Sequence, residues 1–128
     1  MRSDCKLSDA ELAVKDLPRA RQYATAALPF LDKFDVRSPS LLVLRDLGFC
    51  YESEGAVQHH IAMDRELPSA ERLTAEAESR RWYSKSAEVW STWNRREAAT
   101  PESERERHKV EDFLKGAGAI PQQAVANK

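Results

Sequence analysis

The hydrophobic positions of this chain recur at helical rather than strand spacing. Apolar side chains repeat at i, i+3, i+4 and i+7 in stretches that Pro, Gly or Asp separates. The chain has no alternating runs of β-branched residues and no Asn-Gly or Asp-Gly turns of the kind that join paired strands. The pattern therefore predicts an all-α fold of about five helices.

Short polar motifs predict where several of these helices begin and end. Ser8 and Glu11 have the spacing of a capping box, so the first helix starts at Ser8 or a few residues earlier. Thr100 caps the fifth helix, with Ser103 three residues later. Gly55 is the expected left-handed stop of the third helix.

Two residues inside the predicted helices bear on packing. Pro29 lies in the second helix, predicted over about 18–34, and should kink it or end it early. Gly48 lies in the middle of the third helix, where glycine costs about 1 kcal/mol relative to alanine. Close packing against another helix would explain such a glycine, and we expect the partner to be the alanine-rich face 20–27 of the second helix.

Composition and charge restrict the class of protein. The chain has 128 residues, of which 41% are hydrophobic, enough for the core of one small domain. Its net charge of −1 provides no field that would attract nucleic acid or an anionic membrane. No apolar run approaches the roughly 20 residues of a membrane span, and the N-terminus lacks a signal-peptide core. Cys5 and Cys50 are far apart, so we expect reduced thiols and a cytoplasmic location.

Three segments carry positions that resemble the tetratricopeptide repeat, a helical hairpin of about 34 residues. Positions of the second helix of one repeat match Asp16, Leu17, Ala20, Ala24, Ala27 and Leu28. Positions of the first helix of the next repeat match Leu44, Leu47, Gly48, Tyr51 and Gly55. Positions of the second helix of that same repeat match Ser79, Tyr83, Ser86 and Ala87. The resemblance implies antiparallel hairpins that stack side by side.

The second repeat departs from the family in length. About twenty additional residues, roughly 56–75, separate its two helices, and they include a predicted short helix over 56–64. This insertion is either dispensable, or its apolar residues cover the open end of the stack. We predict one helical-repeat domain over 1–116 and a flexible tail over 117–128.

A narrower resemblance concerns large bacterial serine/threonine protein kinases. The segments ARQYATAAL, LRDLGFCYESEG and RRWYSKSAEVWSTW, followed by a charged final helix, resemble the helical repeat region at the C-terminus of those kinases. The chain contains no Gly-rich phosphate loop, His-Arg-Asp or Asp-Phe-Gly motif. This resemblance implies a regulatory or scaffold part of a kinase polypeptide, which does not itself phosphorylate a substrate.

The first resemblance also implies a peptide-binding groove. Its positions, carried over by the motif of the second repeat, are Leu42, Arg45, Phe49 and Glu52. Family members that hold a peptide's terminal carboxylate use lysine and asparagine in this groove. Arg45 would suit a carboxylate, but Phe49 stands where asparagine is expected, so an apolar or mixed peptide surface fits these residues better.

Other residue clusters allow further interpretations. Trp82, Trp90 and Trp93 form a stripe that either packs against the following helix or anchors a partner. His60 and Asp64 are spaced for chelation on one helix face and would need a third ligand, such as His108. A solvated polar face on the inserted helix is the simpler interpretation of His60 and Asp64, and the one that we prefer.

Three functional hypotheses follow. The first is a non-catalytic module that binds a protein or peptide partner, without cofactor, metal, nucleic acid or membrane. The second is the regulatory part of a kinase polypeptide, with the kinase domain as partner. The third is a small helical enzyme that uses His60 and Asp64.

Overall fold

The computed structural model describes residues 2–13, 15–96 and 100–126, with side chains for 4–13, 15–96 and 100–116. Its described residues form five helices and no strands, which confirms the predicted all-α class. The helices are α1 (Arg2–Ala13), α2 (Leu17–Lys33), α3 (Leu41–Ala62), α4 (Ser69–Arg96) and α5 (Pro101–Ala126). Across the described part of the chain, no helix has both the length and the apolar character needed to cross a bilayer.

Side-chain caps fix the starts of α2, α3 and α5. In α3, the hydroxyl of Ser40 accepts from the backbone N–H of Val43 at 3.3 Å. Asp16 accepts from the backbone N–H of Arg19 at 3.1 Å and so caps α2. At the start of α5, Thr100 and Ser103 form a reciprocal box, because each side-chain oxygen accepts from the other residue's backbone N–H. The predicted cap at Thr100 is therefore confirmed.

Of the two starts considered for the first helix, the earlier one is correct, because α1 begins at Arg2 rather than at Ser8. Ser8 lies inside α1 and is fully buried, and its hydroxyl donates to the carbonyl of Ala20 on α2 at 2.9 Å. A serine that faces a neighbouring helix satisfies its hydroxyl there rather than at a helix terminus. The early end considered at Pro29 does not occur, because α2 continues past it to Lys33.

Serine hydroxyls likewise connect α3 and α4, which pack as an antiparallel pair. Ser86 donates to the carbonyl of Gly48, and Ser79 donates to the carbonyl of Gly55, each at 2.9 Å. The two serines are seven residues apart, as are the two glycines, so both bonds repeat after two helical turns. These two hydrogen bonds fix the register of α3 against α4 at two positions along the hairpin.

Both glycines lie against aromatic rings of α4. A Cβ added to Gly48 would lie 2.7 Å from the ring of Trp90, and one added to Gly55 would lie 2.6 Å from the ring of Tyr83. The prediction that Gly48 packs on residues 20–27 of α2 is therefore wrong, because its partner is α4. The prediction of a stop at Gly55 is also wrong, because this residue lies inside α3 and has no left-handed conformation.

Residues 56–75, predicted from the sequence as an insertion, lengthen the α3–α4 hairpin. Residues 56–62 continue α3 without a break, so the separate short helix predicted over 56–64 does not form. Val57, Ile61 and Ala75 are buried together with Ala20 and Ala24 of α2. The alanine stripe of α2 thus packs against this extension, which is part of the core rather than a peripheral addition.

A disulfide joins Cys5 of α1 to Cys50 of α3, with their Cα atoms 5.3 Å apart. Both residues are buried, at 2% and 0% exposure. The prediction of reduced thiols is therefore wrong, because α1 brings Cys5 onto α3 across 45 residues of sequence. Since disulfides persist mainly in oxidising compartments, the cysteines no longer support a cytoplasmic location.

The fifth helix covers one side of the α3–α4 pair. Val110 is fully buried, and the ring of Phe113 stacks on Tyr83 with a centroid distance of 3.9 Å. The helix continues past residue 116, the predicted limit of the domain, to Ala126. The predicted tail 117–128 thus coincides largely with helical backbone, and its last two residues lie outside the described ones.

Candidate binding furrow

An open furrow runs along α3 between α2 and α4. Each of these two helices packs on α3, and among the described residues they make little contact with each other. Two cavities of about 400 Å³ each occupy the space between them. The cavities adjoin at Arg21 and Gln58, which contribute to both. We call the two together the α2–α4 furrow.

The length of the furrow follows from the helix that forms its wall. Residues Ala70 and Lys85 of α4 line its two ends. Fifteen residues separate them, which corresponds to a rise of about 22 Å along the helix. Since an extended chain advances roughly 3.3 Å per residue, six or seven residues of a peptide match this length.

The lining of the first cavity includes a buried carboxyl group. Glu54 of α3 is only 5% exposed, and its Oε2 has no hydrogen-bond partner in the part of the chain that the structure describes. Burial raises the pKa of Glu54 to about 8 from the ordinary 4.5. The side chain is therefore mainly protonated at neutral pH, and its Oε2 is a buried polar atom without a partner among the described residues.

The rim of the first cavity carries paired charges. Arg81 donates to Glu78 at 2.8 Å, and its guanidinium lies 4.5 Å from the centre of the Trp82 ring. The ammonium group of Lys85 lies 5.3 Å from the same ring and 5.7 Å from that of Tyr51. The Arg81 guanidinium is therefore held by Glu78 and the Trp82 ring, and the Lys85 ammonium group lies over the rings of Trp82 and Tyr51.

The second cavity is less polar. Ile61, Leu67 and Ala75 contribute apolar surface, and Thr74 and Glu71 provide polar groups on the α4 side. The furrow thus changes along its length from a charged end with a buried carboxyl group to an end that suits aliphatic side chains.

The four predicted groove residues do not line one open groove. Leu42 is 67% exposed, whereas Glu52 is buried and Phe49 packs edge-on against Trp90 at a centroid distance of 5.1 Å. Arg45 contributes to a separate cavity of about 460 Å³ beside the start of α5. The fifth helix therefore covers much of the face that the repeat pattern assigned to a peptide.

Glu52 is held by α4 and α5. Its Oε2 accepts from the indole N–H of Trp90 at 3.3 Å, and its Oε1 lies 3.3 Å from the ammonium group of Lys109. Burial raises the pKa of Glu52 to about 7, Lys109 opposes that change, and Glu106 adds to it. These partners make Glu52 a docking contact for α5.

The three tryptophans separate into different environments. Trp82 and Trp90 are buried, at 7% and 2% exposure, while Trp93 is half-buried. Trp90 and Trp93 both line the cavity that contains Arg45, whereas Trp82 lines the α2–α4 furrow. The structure therefore does not bring them together as one partner surface.

The candidate metal ligands are also placed apart. His60 and Asp64 line a cavity at the end of α3, but His108 lies on α5, where it is 3.6 Å from Glu104. Among the described residues, no group of three His, Cys, Asp or Glu side chains is arranged to hold a metal ion.

Sequence reasoning overlooked Glu54 although a signal was present. Glu54 continues the spacing of Leu47 and Tyr51, so it occupies an apolar position of α3. A carboxyl group at such a position is buried when the helix packs and is rarely left without a partner.

No protein-family model matches this chain, and neither a curated protein nor a solved structure does so. The resemblances to tetratricopeptide repeats and to kinase repeat regions therefore rest on the residues quoted above.

Proposed function

We propose that this chain is a non-catalytic, tetratricopeptide-like module that binds an extended peptide segment of a partner protein in the α2–α4 furrow. The observation that carries this proposal is the elongated furrow itself. Two adjoining cavities along about 22 Å of α4 suit a peptide better than one compact small molecule.

The order of helix contacts supports the repeat-like part of the proposal. Each of α1 and α3 packs on the helix that follows it, α1 also packs on α3, and α4 packs on α5. Successive hairpins of a solenoid make neighbour contacts of this kind. The furrow would then lie between the second helices of two hairpins, rather than on the face that the family uses most.

The chemistry along the furrow supports a peptide ligand. One end provides charged groups and a buried carboxyl group, and the other provides apolar surface around Ile61 and Leu67. A peptide offers alternating polar and apolar side chains together with backbone groups that hydrogen-bond to side chains such as Gln58 and Thr74. Side chains that enter the two cavities would give specificity.

A peptide-display selection on the full chain tests this proposal. Random peptides of about seven residues are selected, and their binding is measured by calorimetry. Amide exchange or NMR shifts then locate the site. We expect changes at Arg21, Gln58 and Thr74, with none at the exposed Leu42 on the start of α3. Selected peptides that map outside the furrow, or a failure to select any, would contradict the proposal.

A further inference from the structure

The buried Oε2 of Glu54 has no hydrogen-bond partner among the described residues. Burial raises the pKa of this carboxyl group. Nevertheless the group lines an open cavity of about 400 Å³. A buried, unpartnered carboxyl group in a cleft is typical of a site that is completed by a ligand.

We propose that the α2–α4 furrow recognises a basic side chain, lysine or arginine, of its peptide ligand through an ion pair with Glu54. This inference rests on the proposed function and specifies its ligand. The side chain would enter the first cavity with its aliphatic part beside Leu28 and Val57, and its cationic end would reach the Glu54 carboxylate.

The preference for a cation rests on Glu54 itself, because the other charges that line the cavity, three cations and two carboxylates, do not favour one. The ionisable groups that line it besides Glu54 are Arg21, Asp32, Glu78, Arg81 and Lys85. Arg81 is bound to Glu78, and Lys85 lies over aromatic rings, so neither neutralises Glu54. Because an ion pair with a buried carboxylate is stabilised by the low local dielectric, a ligand cation gains most at Glu54 itself.

Binding of this kind releases a proton. In the free protein at neutral pH the Glu54 carboxyl group is mainly protonated. A basic side chain arrives already charged, the carboxyl O–H bond breaks, and the proton passes to the buffer as the ion pair forms. Affinity should therefore rise about tenfold per pH unit until the pH approaches the pKa of Glu54.

The test uses blocked heptapeptides, matched to the furrow length of about seven residues, with alanine at every position except the centre. The centre is lysine, arginine, norleucine or glutamate, and binding to the full chain is measured by calorimetry at pH 6.5. We expect the lysine or arginine peptide to bind at least about tenfold more tightly than the norleucine peptide. Two buffers of different ionisation enthalpy should report release of close to one proton.

Substitution of Glu54 supplies the decisive comparison. The Glu54→Gln variant keeps the shape of the side chain but has no charge, so the preference for a basic centre and the proton release should both disappear. Glu88→Gln is the control, because Glu88 is exposed on α4 and does not line the furrow. It should bind like the original protein.

Several results would overturn this inference. Equal binding of all four peptides, tighter binding of the glutamate peptide, or unchanged preference in Glu54→Gln would each do so. Furrow-binding peptides from the display selection that lack basic residues would also overturn it, while the proposed function would stand. If neither designed nor selected peptides bind in the furrow, both proposals fail.

Discussion

The hydroxyl of Ser86 donates to the carbonyl of Gly48 at 2.9 Å, at the level where the ring of Trp90 covers the face that a Gly48 side chain would occupy. The middle of α3 is thus joined to α4 both by a hydrogen bond and by apolar packing against the Trp90 ring. Ser79 and Gly55 repeat it two turns away. Small residues on both helices allow the backbones to approach closely enough for a side-chain oxygen to reach the opposite carbonyl.

The Gly48 contact predicts the effect of a single added methyl group. In Gly48→Ala, the new Cβ would lie 2.7 Å from the ring of Trp90, which is 2% exposed and has little room to move. We expect a net loss of about 1–3 kcal/mol in the free energy of unfolding, measured by urea denaturation.

The fifth helix offers a matched control for that substitution. Gly116 is also helical, but a Cβ there meets no atom within 4 Å. Gly116→Ala should therefore leave stability unchanged or raise it by up to about 1 kcal/mol, as helix propensity alone dictates. Equal effects of the two substitutions would show that the close approach of α3 and α4 is not what Gly48 provides.

The serine hydroxyl of the same contact makes a separate contribution. Ser86→Ala removes the bond to Gly48 in a fully buried position, so we expect a loss of about 0.5–1.5 kcal/mol. Ser84→Ala, at an exposed position of the same helix, should be neutral or slightly stabilising. Thermal melts of both variants check the difference, and an equally stable Ser86→Ala would contradict the assigned role.

The disulfide predicts sensitivity to reduction. Closing a loop between residues 45 apart limits the unfolded chain, and the chain-entropy model gives about 4 kcal/mol for a loop of this length. Adding a phosphine reductant should lower the urea midpoint of the original protein. The double variant Cys5→Ala, Cys50→Ala should start lower and show no further response. A reductant effect of equal size in both would refute the prediction.

The raised pKa of Glu54 predicts that the stability difference between the original protein and Glu54→Gln depends on pH. Its pKa is raised to about 8 in the folded protein, so the folded state binds the proton more tightly than the unfolded state does. The free energy of unfolding therefore decreases between pH 4.5 and 8, by up to about 1.4 kcal/mol per unit from this group. Glu54→Gln should be more stable than the original protein at pH 8.5, with the difference shrinking towards pH 5.

A control separates this effect from general charge removal. Glu66→Gln changes an exposed carboxylate between α3 and α4. Its effect on the free energy of unfolding should therefore be small both at pH 8.5 and near pH 5. A constant difference between Glu54→Gln and the original protein across this pH range would show that Glu54 does not titrate as described. Glu52 titrates in both proteins and cancels in the comparison.

Local sequence patterns determined the class of fold and several helix limits. The apolar spacing predicted about five helices, and Thr100 caps its helix as expected. Caps are local, because a side chain needs only the next two or three residues to satisfy a free N–H group. Such features need no knowledge of which helices become neighbours.

Tertiary packing decided the roles of residues whose partners lie far away in sequence. Gly55 was expected to end a helix and Gly48 was expected to pack on α2, but the approach of α4 makes both glycines contacts with α4 inside a continuous helix. Cys5 meets Cys50 because α1 packs on α3. The furrow and the unpartnered carboxyl group of Glu54 likewise exist only because α2 and α4 lie on α3 with space between them, a relationship that no local pattern specifies.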